Sequence, residues 1–241
     1  YNVLAVGNVD LNGTVDRTDD AMAGTSSFVD PTSAFGDREK PEVSAPGTNI
    51  AMLSSGLPYA GQVDTGTSMA SPMVAGEAAR LVQRKSFLGI WPEQLRAIIM
   101  ASARHNVEGS ERLSDVDGAG MIAIDGAVRV LDGGRHGGMR VDCSTFGSAR
   151  VAGRVELRPE ERLRAAISWT TDPSAADYAT RPSADLDLEV RGPSRSFFSS
   201  SFDNTSEIVD FRAPVAGTYE IRVVNFRCAR STFVGWAHLN P

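Results

Sequence analysis

The chain has 241 residues, of which 41% are apolar, so it is long enough to bury the core of one large domain or of two ordinary ones. Its 30 acidic and 24 basic residues give a net charge of −6 and form no long run of either sign. This distribution argues against nucleic acid and anionic membranes as partners. No apolar stretch has the length of a transmembrane segment. Composition therefore favours a globular protein with a hydrophobic core.

The first 131 residues alternate between strand-like and helix-like patterns. They predict a strand at residues 3–9, a short strand near 42–44, a helix that starts at Ser68 and another that starts at Pro92. Apolar residues recur after Ser68 at spacings of three and four, which predicts that one face of this helix is buried. Alternation of this kind favours an α/β layout.

The pattern changes to short β-type runs after a glycine-rich stretch at residues 131–139, which predicts a linker with a solvated His136. Apolar and polar residues then alternate strictly, most clearly at 186–190 and 219–223. Such alternation indicates strands with one buried and one solvent-facing side. Six or more strands of this type predict a sandwich.

The two cysteines, Cys143 and Cys228, both fall in this β-rich part. A disulfide between them would close a loop of about 85 residues, worth roughly 4 to 5 kcal/mol in the chain-entropy model, and would indicate an oxidising compartment. Two buried thiols are the alternative. Two cysteines alone make no zinc site.

Residues 66–76 read G-T-S-M-A-S-P-M-V-A-G and point to Ser68 as a nucleophile. Gly66 allows a backbone conformation that a side chain would forbid, and Thr67 and Ser68 are both good N-cap residues for the following helix. The segment resembles the serine segment of the subtilisin-like serine proteases, the subtilases. Two further segments, P-E-V-S-A-P-G at 41–47 and G-A-G-M-I-A-I-D-G-A-V at 118–128, also resemble this family.

The resemblance implies a fold and a division of the chain. Residues 1–132 would form the C-terminal half of a subtilisin-like three-layer α/β domain with a parallel sheet, and residues 133–139 a linker. Residues 140–241 would form an all-β accessory sandwich. Its D-L-D-L segment at 185–188 and its P-V-A-G-T-Y-E-I-R-V segment at 214–223 resemble the jelly-roll or P-domain-like sandwich appended to many subtilases.

The subtilase triad runs Asp, His, Ser along the chain, but all three histidines here, His105, His136 and His238, follow Ser68. His105 reads as a helix-end residue rather than a base. We therefore expect an upstream segment to supply the Asp, the His and the oxyanion Asn, and this chain to be the C-terminal part of a longer protease, with negligible activity alone. Asn2 and Asn8 flank an apolar strand and are not assigned to the oxyanion hole.

The chemistry of this family requires no cofactor, but calcium is a candidate structural ligand. Asp185 and Asp187 lie on one face of a predicted strand, and Asp203 and Asn204 could approach from a later loop with further oxygens. The alternative is that these are charged residues on the solvent-facing side of a strand. Glu42 is a second candidate, because some subtilases place a cation-binding acid at this point.

The resemblance thus implies a secreted, extracellular, bacterial serine endopeptidase that cleaves polypeptides through an acyl-enzyme on Ser68. Its partners would be the polypeptide substrate and the upstream half of its own catalytic domain, with no nucleic acid and no membrane. The alternative is a non-catalytic extracellular binding or adhesion module on a degenerate subtilase scaffold. The sedolisin family shares G-T-S and uses Glu and Asp in place of His, but M-A-S-P-M-V-A-G fits subtilases better.

Overall fold

The computed structural model describes residues 1–28, 31–104, 116–228 and 230–240, so His105 lies outside the described residues. The part before residue 133 contains both helices and strands, as the sequence predicts. Its strands are β1 (Val6–Asp10), β2 (Ala21–Met22), β3 (Val43–Pro46), β4 (Ile50–Leu53) and β5 (Ala60–Asp64). Its α-helices are α1 (Thr67–Arg84), α2 (Pro92–Ser102) and α3 (Ile124–Asp132), and a 3-10 turn occupies Ser86–Gly89.

The central strand β1 pairs in parallel with β3 and antiparallel with β2, while β4 and β5 form a separate hairpin. The first strand starts at Val6 rather than at residue 3. The N–H of Val3 donates to the carbonyl of Tyr1 at 2.9 Å, and Val3 is 64% exposed. Residues 1–3 therefore turn instead of extending the strand.

The helices bury most of the faces that their periodicity predicts, although Met73 in the stripe of α1 is 42% exposed. Helix α1 covers β1 and β3 and turns Ala70, Val74 and Leu81 into the core. Helix α2 starts with Pro92 at a position where a missing N–H costs no hydrogen bond, and Glu93 lies in its first turn near the positive helix end. None of the described helices has the length and apolar character needed to cross a membrane.

The second half is β-rich and contains eight strands among the described residues. They are β6 (His136–Val141), β7 (Ala149–Leu157), β8 (Arg162–Trp169), β9 (Ala184–Arg191), β10 (Ser196–Ser199), β11 (Ser206–Arg212), β12 (Gly217–Cys228) and β13 (Thr232–Leu239). Two four-stranded antiparallel sheets result, in the orders β10-β9-β12-β7 and β11-β8-β13-β6. One apolar core, which includes Trp169 and Tyr219, joins them. The jelly-roll classification and the domain limits stay predictions.

The glycine-rich stretch is a linker only in part, because His136 already begins β6. Its ring is half-buried and stacks on Phe87 with centroids 5.9 Å apart, so the prediction of a solvated His136 is wrong. A Cβ added at Gly137 would meet the Trp236 ring at 2.8 Å, and one at Gly138 would overlap Phe233. These glycines therefore make room for aromatic rings of the neighbouring β13.

Cys143 and Cys228 form a disulfide, which is one of the two alternatives that the sequence left open, the other being two buried thiols. The bond ties the connection that follows β6 to the last residue of β12. No free cysteine remains in the described chain.

The two halves share a continuous core in which α2 packs on β8 and β13. The buried guanidinium of Arg164, in β8, donates to the carbonyls of Ala103 and Ala119 in the first half. In return, Arg96 of α2 donates to the carbonyl of Trp169 at 3.3 Å. Buried charges of this kind hold their partners in place, because losing one partner leaves a desolvated charge.

We expect Gly235→Ala to lower the free energy of unfolding by about 2 kcal/mol or more, because the added methyl would overlap the α2 backbone at Glu93 and Gln94. Gly24→Ala is the matched control, since nothing lies within 4 Å of a Cβ built there. Urea denaturation followed by circular dichroism measures both. Equal stability of the two variants would contradict the close approach of β13 to α2.

Candidate active site

Ser68 is an exposed residue in the first turn of α1. The helix begins directly after Gly66, whose φ of 157° is a value that side chains rarely tolerate. No side chain caps this helix, so the expected N-cap roles of Thr67 and Ser68 are not found. The hydroxyl of Ser68 is therefore not used to cap the helix.

The backbone around Ser68 offers hydrogen-bond donors. The N–H groups of Met69 and Ala70 donate back to the carbonyl of Gly66, at 3.0 and 3.3 Å. The N–H of Ser68, unlike these two, donates to no backbone carbonyl in the described chain, and it lies at the positive end of the helix dipole. This N–H is suited to stabilise negative charge that develops next to the Ser68 oxygen.

Pro72 lies within α1, four residues after Ser68, and lacks the N–H that would bond to the Ser68 carbonyl. The helix nevertheless continues without a break from Thr67 to Arg84. The missing bond therefore does not interrupt the helix that carries Ser68.

A tight backbone contact fixes the turn before α1. The N–H of Gly66 donates to the carbonyl of Gly47 at 2.8 Å, and Gly47 follows directly after β3. Asn8 of β1 is fully buried beneath this contact, and its Oδ1 accepts from the Thr48 hydroxyl at 3.4 Å. Asn8 thus supports the turn from below, a role that the sequence analysis missed. An Asn inside an apolar strand was the available signal.

Asn2, the other asparagine near this strand, lies in the contact between the halves. Its Nδ2 donates to the carbonyl of Thr171, and its Oδ1 accepts from the Thr171 N–H, both at 2.8 Å. Both polar atoms of its side chain are therefore engaged with the sandwich.

The two described histidines lie on the sandwich. Burial, followed by the charge of Lys85, lowers the pKa of His136, whose Nδ1 is 3.4 Å from Gln94 Oε1. His238 stands beside Trp236, and burial, followed by the charge of Arg135, lowers its pKa to about 4. Neither ring contacts Ser68 in the described part of the chain. Both are poor candidates for the base that Ser68 needs.

Glu42 has a cationic partner within the chain. Its Oε1 pairs with Lys40 Nζ and lies 3.8 Å from Arg96 Nη2, while its Oε2 accepts from the Ala5 N–H at 2.7 Å. The ammonium of Lys40 thus stands where the sequence analysis considered a bound cation.

Of the four predicted calcium ligands, Asp203 and Asn204 join the two halves of the chain. Asp203 Oδ2 accepts from the Phe35 N–H at 2.6 Å, and Asn204 Oδ1 accepts from the Glu39 N–H at 2.9 Å. Asp203 is fully buried, and its Oδ1 has no hydrogen-bond partner. Both residues therefore have structural contacts that need no ion.

Asp185 and Asp187 are not on a solvent-facing side, because Asp185 is 1% exposed and Asp187 is half-buried. Burial, followed by the negative charge of Asp187, raises the pKa of Asp185 to about 7, and burial raises that of Asp187 to about 6. Arg227 Nη2 lies 3.9 Å from Asp185 Oδ2. Among the described residues, no group of three or more His, Cys, Asp or Glu side chains could hold a metal ion.

Calcium at these four positions therefore stays a prediction that gains no support from the geometry. Calorimetric titration of EDTA-treated protein with calcium decides it, with magnesium as the control. A bound ion would raise the melting temperature, since a ligand of the folded state alone stabilises that state. The absence of both heat and a shift in melting temperature would remove the site.

We expect Gly47→Ala to disturb the turn before Ser68, because a Cβ there would lie 2.5 Å from Asn8 Oδ1 and 2.6 Å from the Gly66 carbonyl oxygen. The amide resonances of Gly66 and Ser68 should shift in NMR spectra, and the free energy of unfolding should fall by about 1 to 3 kcal/mol. Gly56→Ala, at an open position, is the control. Unchanged resonances would show that Gly47 does not hold the turn.

Comparisons with known proteins agree with the motif around Ser68. The Subtilase family model matches residues 1–127. Serine protease AprX of Bacillus subtilis is 32% identical over 142 residues, which are 52% of this chain and 29% of AprX. The chain thus spans less than a third of that relative's length.

Solved structures give only weak alignments. A de novo designed double-stranded β-helix aligns with a TM-score of 0.24 and 11% identity, over 44% of this chain and 99% of the other. A protein of Sulfurospirillum deleyianum aligns with a TM-score of 0.25 and 8% identity, over 44% and 98%. These scores are too low to bear on the fold. The family model, by contrast, covers more than half of the chain and includes Ser68 with its turn, and the chain belongs to the subtilase family.

Proposed function

We propose that this chain contributes the nucleophile of a serine endopeptidase that cleaves polypeptides through an acyl-enzyme on Ser68. The observation that carries the proposal is the exposed Ser68 in the first turn of α1, within a segment matched by the family model. A nucleophile at this place has a backbone N–H at hand for the oxyanion of the tetrahedral intermediate. AprX, the similar Bacillus protein, is itself named a serine protease.

The remaining catalytic groups come, in this proposal, from an upstream segment of the same catalytic domain. A serine hydroxyl is a weak nucleophile at neutral pH and needs an imidazole to take its proton. His136 and His238 have depressed pKa values and lie on the sandwich, so neither suits this task. The upstream segment would supply the Asp, the His and the oxyanion Asn.

An apolar groove that begins at Ser71, about one turn after Ser68 on α1, offers a place for that segment. It lies between α1, β1 and α2, has a volume of about 240 Å³, and includes Leu4, Val6, Ala75 and Leu95. The small residue Ala75 on the exposed side of α1 allows another backbone to approach closely. Exposed apolar surface of this kind marks a contact site, and here we assign that contact to the upstream segment of the same domain.

The disulfide supports a secreted, extracellular location, because such bonds persist in oxidising environments. The sandwich would then stabilise the catalytic half outside the cell, since the two halves share one core. The alternative, a non-catalytic binding module on a subtilase scaffold, makes no use of the Ser68 hydroxyl.

We expect a fluorophosphonate probe to label Ser68 in the natural protein that carries this chain. Ser68→Ala should abolish labelling and lower kcat on casein by at least about 10⁴-fold, the order found when a triad nucleophile is removed. Ser200→Ala, at an exposed serine of the sandwich, is the control and should keep both. Absence of labelling in a correctly folded protein would support the non-catalytic module instead.

The same proposal predicts that the 241-residue chain alone hydrolyses casein negligibly and regains activity when the upstream half is added in trans. Robust hydrolysis by the chain alone, lost in Ser68→Ala, would contradict the assignment of the base to an upstream segment.

A further inference from the structure

Glu77 occupies a position in α1 where its neighbours are apolar. Val74 and Leu81, three and four residues away on the same face, are buried core residues. The side chain of Glu77 is only 4% exposed, and neither of its carboxyl oxygens has a hydrogen-bond partner. Buried polar groups are normally paired, so two bare oxygens on one side chain require an explanation.

Glu77 lines an open cavity of about 410 Å³ between α1, the end of β3 and the start of α3. Much of the remaining wall is apolar and includes Pro46, Met73, Met121 and Ile122. This volume lies in the range of about 300 to 1,000 Å³ that is usual for small-ligand sites, and a polar group within apolar walls is their usual composition.

Three arginines line the cavity, and none of them forms an ion pair with Glu77 in the described part of the chain. Arg17 follows β1, Arg80 lies on α1, Arg104 follows α2, and Asp125 lies on α3. Arg17 pairs with Asp20 at 3.9 Å, and Arg104 with Asp125 at 3.8 Å. Burial, followed by the negative charge of Asp125, raises the pKa of Glu77 to about 7.

We propose that this cavity binds an alkyl guanidinium group, with two parallel N–H donors on the two oxygens of Glu77 and the alkyl stem against Met73 and Met121. A carboxylate with both oxygens free matches the planar fork of a guanidinium, which pairs with it through two bonds at once. The methionines offer adaptable apolar contacts for the stem. The source is either a small free guanidine or an arginine side chain of a peptide.

This cavity is separate from the candidate active site. Glu77 follows Ser68 by nine positions on α1, which is about 13 Å along the helix axis at about 1.5 Å per residue. The inference therefore stands independently of the proposed peptidase activity.

Binding of a guanidinium requires the ionised form of Glu77. The carboxyl titrates near pH 7 in the empty cavity, so below this pH a proton must leave before the cation binds. The apparent affinity should therefore be about tenfold weaker at pH 6 than at pH 8. Calorimetry in buffers of different ionisation enthalpy should show proton release at pH 6.

The test is calorimetric titration of the natural protein that carries this chain with n-butylguanidinium at pH 8. We expect one saturable site, at least tenfold weaker binding in Glu77→Gln, and unchanged binding in Glu220→Gln, the same substitution on the sandwich. Neutral N-butylurea should not bind. A blocked Gly-Arg-Gly peptide distinguishes the two sources. If the peptide binds more tightly than n-butylguanidinium and needs Glu77 to do so, the natural ligand is an arginine side chain of a peptide. If the peptide binds more weakly than n-butylguanidinium, the natural ligand is a small free guanidine.

Gly76→Leu is a second variant that keeps the carboxyl and fills the cavity, since nothing lies within 4 Å of a Cβ built at Gly76. It should also weaken binding at least tenfold. The proposal is overturned if n-butylguanidinium gives no saturable heat at pH 8, if Glu77→Gln binds it equally well, or if N-butylurea binds with the same affinity.

Discussion

The contact between α2 and the sandwich is the constraint on which the rest of the structure depends. Arg164 reaches from β8 to two carbonyls of the first half, and Arg96 reaches from α2 to a carbonyl of the second. Because these charges are buried where the two halves meet, each would lose hydrogen bonds if the carbonyls of the opposite half moved out of reach. Helix α2 in turn packs on α1 and α3, so the helix that carries Ser68 rests on the same core.

The Ser68 site itself is made mostly of backbone. Gly66 has a conformation that other residues avoid, its N–H bonds to Gly47, and Asn8 fills the space below. All of these features lie within a few residues of Ser68, or on or directly after the two strands that pair in parallel, β1 and β3. A site that depends on close backbone approach tolerates little change in its glycines, which explains why the segment around Ser68 is recognisable in a single sequence.

Local periodicity made much of this fold predictable. The alternation at 219–223, most of the helical stripe after Ser68 and the cysteine pair appear in the structure, because each depends on spacing along the chain or on a simple pairing. The alternation at 186–190 does not, since Glu189 on the polar side of β9 is buried as well. The role of Gly137 and Gly138 was not predictable in this way. These glycines make room for Trp236 and Phe233, which lie about a hundred residues away in the sequence.

Distance along the chain also hid the roles of two other residues. The sequence predicts Asp203 as a calcium ligand in a loop, but its carboxylate accepts a hydrogen bond from the backbone N–H of Phe35 in the first half of the chain. Glu77 interrupts an apolar stripe, which the sequence shows, yet only the three-dimensional arrangement reveals that its oxygens face a cavity without partners. Burial and partner identity depend on the assembled fold rather than on neighbours in sequence.

The shared core has an evolutionary consequence. Accessory sandwiches are often exchanged between genes as self-sufficient modules, which requires a boundary that few contacts cross. Here a recombination break near residue 133 would remove the strands that cover Glu93 and Arg96 of α2, and the first half would be left with an exposed apolar helix. Such a sandwich can be inherited only together with residues 1–132, so the two parts should have diverged as one lineage.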